Sequence, residues 1–295
     1  MDSCCPIEIA DGWLDYELID AGGGEKLERW GEIITIRPDP LVIWPKSDAK
    51  LWNECHLHYH RSESGGGRWE RKKNTGAESW AVSYKNFKFK IKPTDFKHMG
   101  LFPEQAVNWD WIGSQIKNAR RPVRALNLFA YTGAATVACL GAGAETTHVD
   151  AAKGMNQWAK ENISLSRLSE AKHRILADDA MKFLFREKRR GSRYDAIVMD
   201  PPAFGRGPSG EMWKLGEKLY DLVAACFDIL SERPAFVLLN AYTSGLSPQV
   251  AFNILKSAAR GANREGFVSC GEIGLKATTG AVLPCGLYGR WTCGR

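Results

Sequence analysis

Three stretches hold the residues able to do chemistry. Residues 124–133, Arg-Ala-Leu-Asn-Leu-Phe-Ala-Tyr-Thr-Gly, form an apolar run that ends in a small-residue turn and leads into 134–140, Ala-Ala-Thr-Val-Ala-Cys-Leu. That pattern predicts strand, tight turn and helix. A second apolar stretch stops at Asp150, 17 residues after Gly133. A βαβ unit ends its second strand at that distance, and an acid there can accept both hydroxyls of a nucleoside ribose. The third stretch, 194–200, is strand-like and breaks from Asp200 into Pro201, Pro202, Ala203 and Phe204. A proline pair cannot extend a central strand, so Asp200 belongs at its carboxyl end. Ligands of open α/β sheets bind outside those ends, so the three stretches converge on one crevice.

The plainer reading is an α/β core in which Asp150 and Asp200 merely end strands. A dinucleotide site would need G-x-G-x-x-G after the first strand, but the turn offers Gly133 and then, a helix later, Gly141 and Gly143. A pyrophosphate is therefore not expected. What remains is a nucleoside site without a diphosphate cradle, followed by Asp-Pro-Pro-x-Phe.

That combination resembles the class I S-adenosylmethionine-dependent methyltransferases. Within them, Leu-Asn-Leu-Phe-Ala-Tyr-Thr-Gly133, Val149-Asp150, Ala177-Asp-Asp-Ala180 and Asp-Pro-Pro-Ala-Phe204 are similar to the rRNA large-subunit methyltransferase group, over residues 96–295. The resemblance implies a Rossmann-like fold with a mostly parallel seven-stranded sheet and a C-terminal antiparallel hairpin. Its cofactor would be S-adenosyl-L-methionine. It implies that Asn127, Phe129, Ala130, Tyr131, Thr132 and Gly133 hold the methionine part. Asp150, with Ala151 beside it, would hold the ribose, and Asp178 or Asp179, with Ala180, the adenine, with Asp179 favoured. In the same group an aromatic-x-x-Gln stretch lies over the cofactor, which makes Phe102 and Gln105 candidate contacts. The alternative for Phe102 is a core anchor.

Asp200, Pro201, Pro202 and Phe204 resemble the motif that amino-methylating enzymes use on an extruded base, with Ala203 intervening as in the ribosomal group. The related C5-cytosine enzymes carry a nucleophilic cysteine just beyond the fifth strand, where this chain has Thr243. A nitrogen or oxygen target, methylated without a covalent adduct, is expected, and the reaction needs no metal.

These residues need a sheet to position them. Ala106, Trp109, Ile112 and Ile116 predict a helix ahead of the first strand, 151–168 a covering helix, 174–177 a third strand, 211–230 another helix, 235–239 a fifth strand and 267–291 two closing strands. At 295 residues with 44% hydrophobic content the chain suits one large and one small domain, placed at 96–295 and 1–95. The smaller is a β-rich substrate-recognition domain, with turns at 22–24, 38–40 and 65–67.

No run approaches the ~20 apolar residues that span a bilayer. Eight acids against two bases in the first 30 residues are the opposite of a secretory or organellar leader, so a cytoplasmic protein is expected. Eight cysteines without a C-x-x-C pair suggest reduced thiols, with Cys139 and Cys226 on apolar helix faces. The net charge of +6 is a mild basic bias compatible with a polyanionic partner and shared by many metabolic enzymes; RNA as that partner is what the resemblance implies.

In 85–92, Phe87, Phe89 and Ile91 alternate with Lys88, Lys90 and Lys92, so one strand face is all lysine. Such a face guards an edge strand against aggregation or contacts phosphates. His56, His58 and His60 would share one face of another strand, but a ladder on one strand builds no tetrahedron and no partner ligand is visible, so no metal is expected. The leading reading is an RNA methyltransferase. The alternatives are a methyltransferase for a protein or small molecule, and an inactive nucleoside-binding module. The oligomeric state is not legible.

Overall fold

The computed structural model describes residues 3–62, 66–207, 210–243 and 245–294, with side chains from residue 7 onward. The thiols of Cys4 and Cys5 lie outside the described residues. The chain divides into two compact units, one made of Met1–Glu8, Asn108–Ile273 and Gly286–Arg295, the other of Ile9–Val107 and Gly274–Cys285.

The first unit is built on β1 (Ser3–Ile9), α1 (Ala106–Asn118), β9 (Arg124–Leu128), α2 (Ala134–Gly141), β10 (Glu145–Asp150), α3 (Lys153–Leu165), β11 (His173–Ala177), α4 (Ala180–Arg189), β12 (Ala196–Met199), α5 (Leu215–Asp228), β15 (Phe236–Ala241), α6 (Pro248–Gly261), β16 (Gly266–Lys276) and β17 (Val282–Cys293). The sheet order is β1-β16-β17-β15-β12-β9-β10-β11. Strands β11, β10, β9, β12 and β15 run parallel, and β17 runs antiparallel to β15. This is the sheet that the resemblance implies, extended to eight strands because β1 adds to the edge beside β16.

Side-chain alternation sorts the two faces. Leu126, Leu128, Val149, Ile197 and Met199 join a fully buried apolar core with Phe183, Leu222, Cys226 and Leu255 of α4, α5 and α6. Asn127 and His148, paired across β9 and β10, bond instead to Thr136 of α2 and Asn156 of α3. The apolar run of a parallel strand is thus broken on one face by polar groups that answer one another.

The helix predicted over 211–230 begins later, at Leu215. Met212–Lys214 is a short strand, β14, that pairs antiparallel with β13 (Phe204–Arg206). Apolar residues at 212, 215 and 219 fit helical spacing, but the pairing partner eight residues upstream claims the backbone of 212–214.

The second unit holds a five-stranded sheet, β2-β3-β4-β5-β6, and a two-stranded one, β7-β8. Their strands are β2 (Tyr16–Gly22), β3 (Glu25–Trp30), β4 (Ile33–Pro38), β5 (Leu57–Arg61), β6 (Gly67–Arg71), β7 (Trp80–Tyr84) and β8 (Phe87–Ile91). Arg37 and Glu28 form a buried bidentate pair at 2.6 and 2.7 Å, with the Tyr16 hydroxyl donating to the same carboxylate at 2.8 Å. In β8, Phe89 and Ile91 are fully buried while Lys88 is exposed and Lys90 half-buried, as the alternation predicts.

Candidate functional site

The strand order turns around β9, with β10 and β11 to one side and β12 to the other. That is the switch point at which α/β sheets open a ligand crevice. The loops after β9, β10, β11 and β12 carry the residues singled out above.

The loop after β9 is strained. Phe129, Tyr131 and Gly133 all have left-handed φ, at 53, 51 and 83°. For two bulky residues that conformation is uncommon and costs about 1–3 kcal/mol each, so surrounding bonds must impose it. Asp150 supplies one of them, its Oδ2 accepting from Tyr131 N at 2.8 Å, while its Oδ1 accepts from Ala152 N at 2.8 Å in the loop after β10. A carboxylate has about four lone-pair directions, so half of its capacity remains for further hydroxyls. Burial raises the Asp150 pKa, and the two backbone donors counter that.

Behind the loop runs a polar chain. Asn127 Nδ2 donates to Thr136 Oγ1 at 3.0 Å, which lies 2.9 Å from His148 Nδ1, and His148 Nε2 lies 3.0 Å from Asn156 Oδ1. Asn156 Nδ2 donates to the Asp150 carbonyl at 3.1 Å. Burial pushes the His148 pKa down to about 4, so the imidazole is neutral. The Asn127 side chain is almost fully buried in this chain and supports the loop from behind. Gly133 is required twice over: its φ is positive, and a Cβ there would sit 2.8 Å from Ala159 Cβ. Asn162 Nδ2 closes the turn by donating to the Thr132 carbonyl at 2.8 Å.

After β11 the two acids divide their work. The Asp178 carboxylate pairs with Arg186 and accepts from Asp179 N, whereas Asp179 Oδ1 caps α4 by accepting from Lys182 N at 2.9 Å. Ala180 is buried at the first helical position. The β13–β14 turn comes up against this end, since a Cβ on Gly207 would lie 3.1 Å from Asp179 Oδ2, and Lys182 pairs with Glu211.

After β12, Asp200 N donates to the Leu128 carbonyl at 3.4 Å, Pro201 is buried and Pro202 exposed. Phe204 stands 73% exposed at the start of β13, a large ring facing solvent. Trp213, which sequence reasoning assigned to helix, donates its indole N–H to the Pro202 carbonyl at 2.6 Å and packs its ring 5.0 Å from that of Phe129. The helical spacing of Met212, Leu215 and Leu219 runs through Trp213, so the sequence pattern carries no signal for this role. Thr243, two residues past β15, buries a hydroxyl with no hydrogen-bond partner among the described residues.

Phe102 and Gln105 belong to the second unit. Phe102 caps the 3-10 turn Pro103–Gln105 with its ring 5.5 Å from His98, and Gln105 is buried.

The crevice residues fit a nucleoside carrying an amino-acid arm. Asp150 keeps free acceptor directions, the turn before α2 has one glycine and no phosphate cradle, and Asp200 brings a second carboxylate to the adjoining strand end.

Residues 24–223 match the family described as S-adenosylmethionine-dependent methyltransferase. Among curated relatives, the "Ribosomal RNA large subunit methyltransferase K/L" of Chromohalobacter salexigens is 32% identical over 175 residues, 59% of this chain and 22% of that protein. That of Syntrophotalea carbinolica is 33% identical over 156 residues, 52% of this chain and 21% of that protein. The chain thus spans about a fifth of the length of the curated relatives it matches. The crystal structure of a SAM-dependent methyltransferase from Agrobacterium tumefaciens is similar over 99% of this chain and 95% of that one, at 38% identity and a TM-score of 0.93. A structure of SMU.776 complexed with SAH shares the fold at 16% identity and a TM-score of 0.70, over 96% of this chain and 76% of that one. The chain belongs to the S-adenosylmethionine-dependent methyltransferase family, and S-adenosyl-L-methionine is its cofactor.

Proposed function

We propose that this methyltransferase acts on RNA, at a nitrogen or oxygen atom, without a covalent cysteine adduct. The observation that carries the reading is the exposed Phe204 ring, which follows the strand-end Asp200 through the stiff Pro201–Pro202 pair. An exposed aromatic that follows a strand-end carboxylate so closely in the chain suits a flat, splayed-out base, which would stack on the ring while its exocyclic N–H meets the acid. The relatives named for ribosomal RNA and the lysine face of β8 support the same class of substrate.

In this reading Asp150 and Ala151 hold the ribose, and the loop of Phe129, Ala130, Tyr131, Thr132 and Gly133 lies along the methionine arm, with Asn127 buttressing it. Of the adenine candidates, Asp179 spends one oxygen on its helix cap and Asp178 is bound to Arg186, so Asp179 with Ala180 stays favoured. Phe102 and Gln105 enter on the family resemblance alone. The cofactor, when bound, supplies an activated methyl group on a sulfonium. Asp200 orients the target N–H or O–H and accepts the proton released as the nucleophile turns positive. Pro201 and Pro202 hold that carboxylate on a stiff backbone, and Phe204 fixes the plane of the base. Thr243 offers no thiolate for addition to a pyrimidine ring.

The test is tritiated-methyl transfer to total RNA and to total protein from a deletion strain. Label in RNA supports the reading. Label confined to protein moves the substrate to the alternative class.

A further inference from the structure

In the second unit, three side chains stand together as metal ligands do. His58 and His60 lie two residues apart on β5 and share a face, their ring centroids 4.1 Å apart. The antiparallel partner β6 places Glu70 directly opposite His58. One ring nitrogen of each histidine and one carboxylate oxygen of Glu70 all lie within 4.8 Å of one another, and His60 Nε2 is 2.8 Å from Glu70 Oε2.

We propose that His58, His60 and Glu70 bind a zinc-class divalent cation, with one coordination position left to water. Two histidines at i and i+2 on one strand give two corners of a tetrahedron, and a residue across the ladder gives the third. Ligand atoms around such an ion stand about 3.3 Å apart, from metal–ligand bonds of roughly 2.0–2.1 Å. The side chains of His60 and Glu70 are 44 and 51% exposed, so each has room to rotate the remaining distance, and the ion reaches them from solvent.

The environment of His58 is the further observation. Glu25 Oε1 lies 2.6 Å from its Nε2, and Glu25 is itself held by Lys46 at 2.9 Å. A carboxylate on one ring nitrogen keeps the proton there and turns the other into a pure lone pair, the arrangement found behind metal-bound histidines. That other atom, Nδ1, is buried and has no hydrogen-bond partner among the described residues. A buried acceptor without a donor costs stability, which a cation would restore. His56 stands outside the set, because its Nδ1 accepts the backbone N–H of Ile34 at 3.2 Å. The ligand missing from the sequence pattern is Glu70, which joins the histidines only once β5 and β6 have paired. An N₂O donor set with an open position suits zinc and its neighbours in the first transition row.

The test uses the full chain, stripped with chelator and then titrated with Zn²⁺ by calorimetry and with Co²⁺ by visible absorption. The expected result is one equivalent bound, with a four-coordinate cobalt spectrum free of thiolate charge-transfer bands. His60→Ala and Glu70→Gln should lose that equivalent while keeping the thermal midpoint of the metal-free parent. Glu25→Gln, which leaves the three ligands in place and alters the partner behind the His58 ring, should weaken binding about 10- to 100-fold. Absence of binding, a thiolate band that places the ion on cysteine, or unchanged binding in His60→Ala and Glu70→Gln overturns the proposal.

Discussion

The indole Nε1 of Trp213 and the carbonyl of Pro202 are 2.6 Å apart, and the same indole packs against Phe129 in the strained loop after β9. One buried side chain therefore ties the turn that follows Asp200 to the loop proposed to lie along the cofactor. Both ends of that tie matter to alignment, since a displacement of about 1 Å can cost a hundredfold in rate.

Trp213→Phe keeps most of the ring packing and removes the donor. The expected outcome is a fall in kcat of about tenfold, the scale of one net hydrogen bond, with cofactor affinity within about threefold of the parent. Steady-state kinetics with calorimetry of cofactor binding checks this. An unchanged kcat would leave Trp213 a packing residue only.

Asp150→Ala removes the acceptor for two backbone donors and, in the proposed reading, for the ribose. Cofactor affinity should drop about 10- to 100-fold, from the loss of charge-assisted hydrogen bonds worth roughly 1.5–3 kcal/mol. Burial raises the Asp150 pKa, so this acid protonates at a higher pH than an ordinary aspartate. Because hydroxyl donors bond more strongly to the charged form, affinity in the parent should fall with acidification earlier than a solvated aspartate would give. Calorimetry across pH reads both effects.

His148 makes stability itself depend on pH. Its folded pKa of about 4 lies below the usual 6.5, mainly through burial, so the unfolded chain binds more protons between those values. Stability is fully present above about 6.5 and is lost as pH falls toward 4, by about 3 kcal/mol for this one group. His98, likewise lowered to about 4 by burial, acts in the same direction. Urea unfolding at stepped pH should show the decline. His148→Gln, which cannot ionise, should lack its share, and an identical slope in that variant would refute the assignment.

Much of the crevice is legible in the sequence because each cue is local: apolar runs for the parallel strands, a proline pair that stops β12, and an acid at the required distance from Gly133. What was not legible depends on pairing. The helical spacing of Met212, Leu215 and Leu219 hides a short strand that exists only because Phe204–Arg206 lies beside it. The tie from Trp213 to Pro202 follows from that hairpin, and Glu70 meets His58 and His60 only through the β5–β6 register. The same holds for β1, whose neighbour β16 lies at the far end of the chain. Asn127, counted with the cofactor loop by motif, turns its amide toward Thr136 because alternation along β9 sends it to the α2 face.

Lys88, Lys90 and Lys92 belong to β8 and the residue after it, in a two-stranded sheet whose other face is buried. If they contact RNA phosphates, the triple alanine variant should reduce the log–log salt slope of binding by about 0.7–0.9 per lost contact. Filter binding at several salt concentrations measures it. An unchanged slope assigns the lysines to guarding the edges of that sheet.

The most direct measurement is single-turnover methylation by Asp200→Asn, alongside its cofactor affinity. The substitution keeps the shape of the side chain and removes the charge that receives the proton of the target. Cofactor binding should stay within about threefold of the parent while the single-turnover rate falls roughly 100-fold or more. Weakened cofactor binding with an unchanged single-turnover rate would move Asp200 into the cofactor pocket and contradict its role in the transfer.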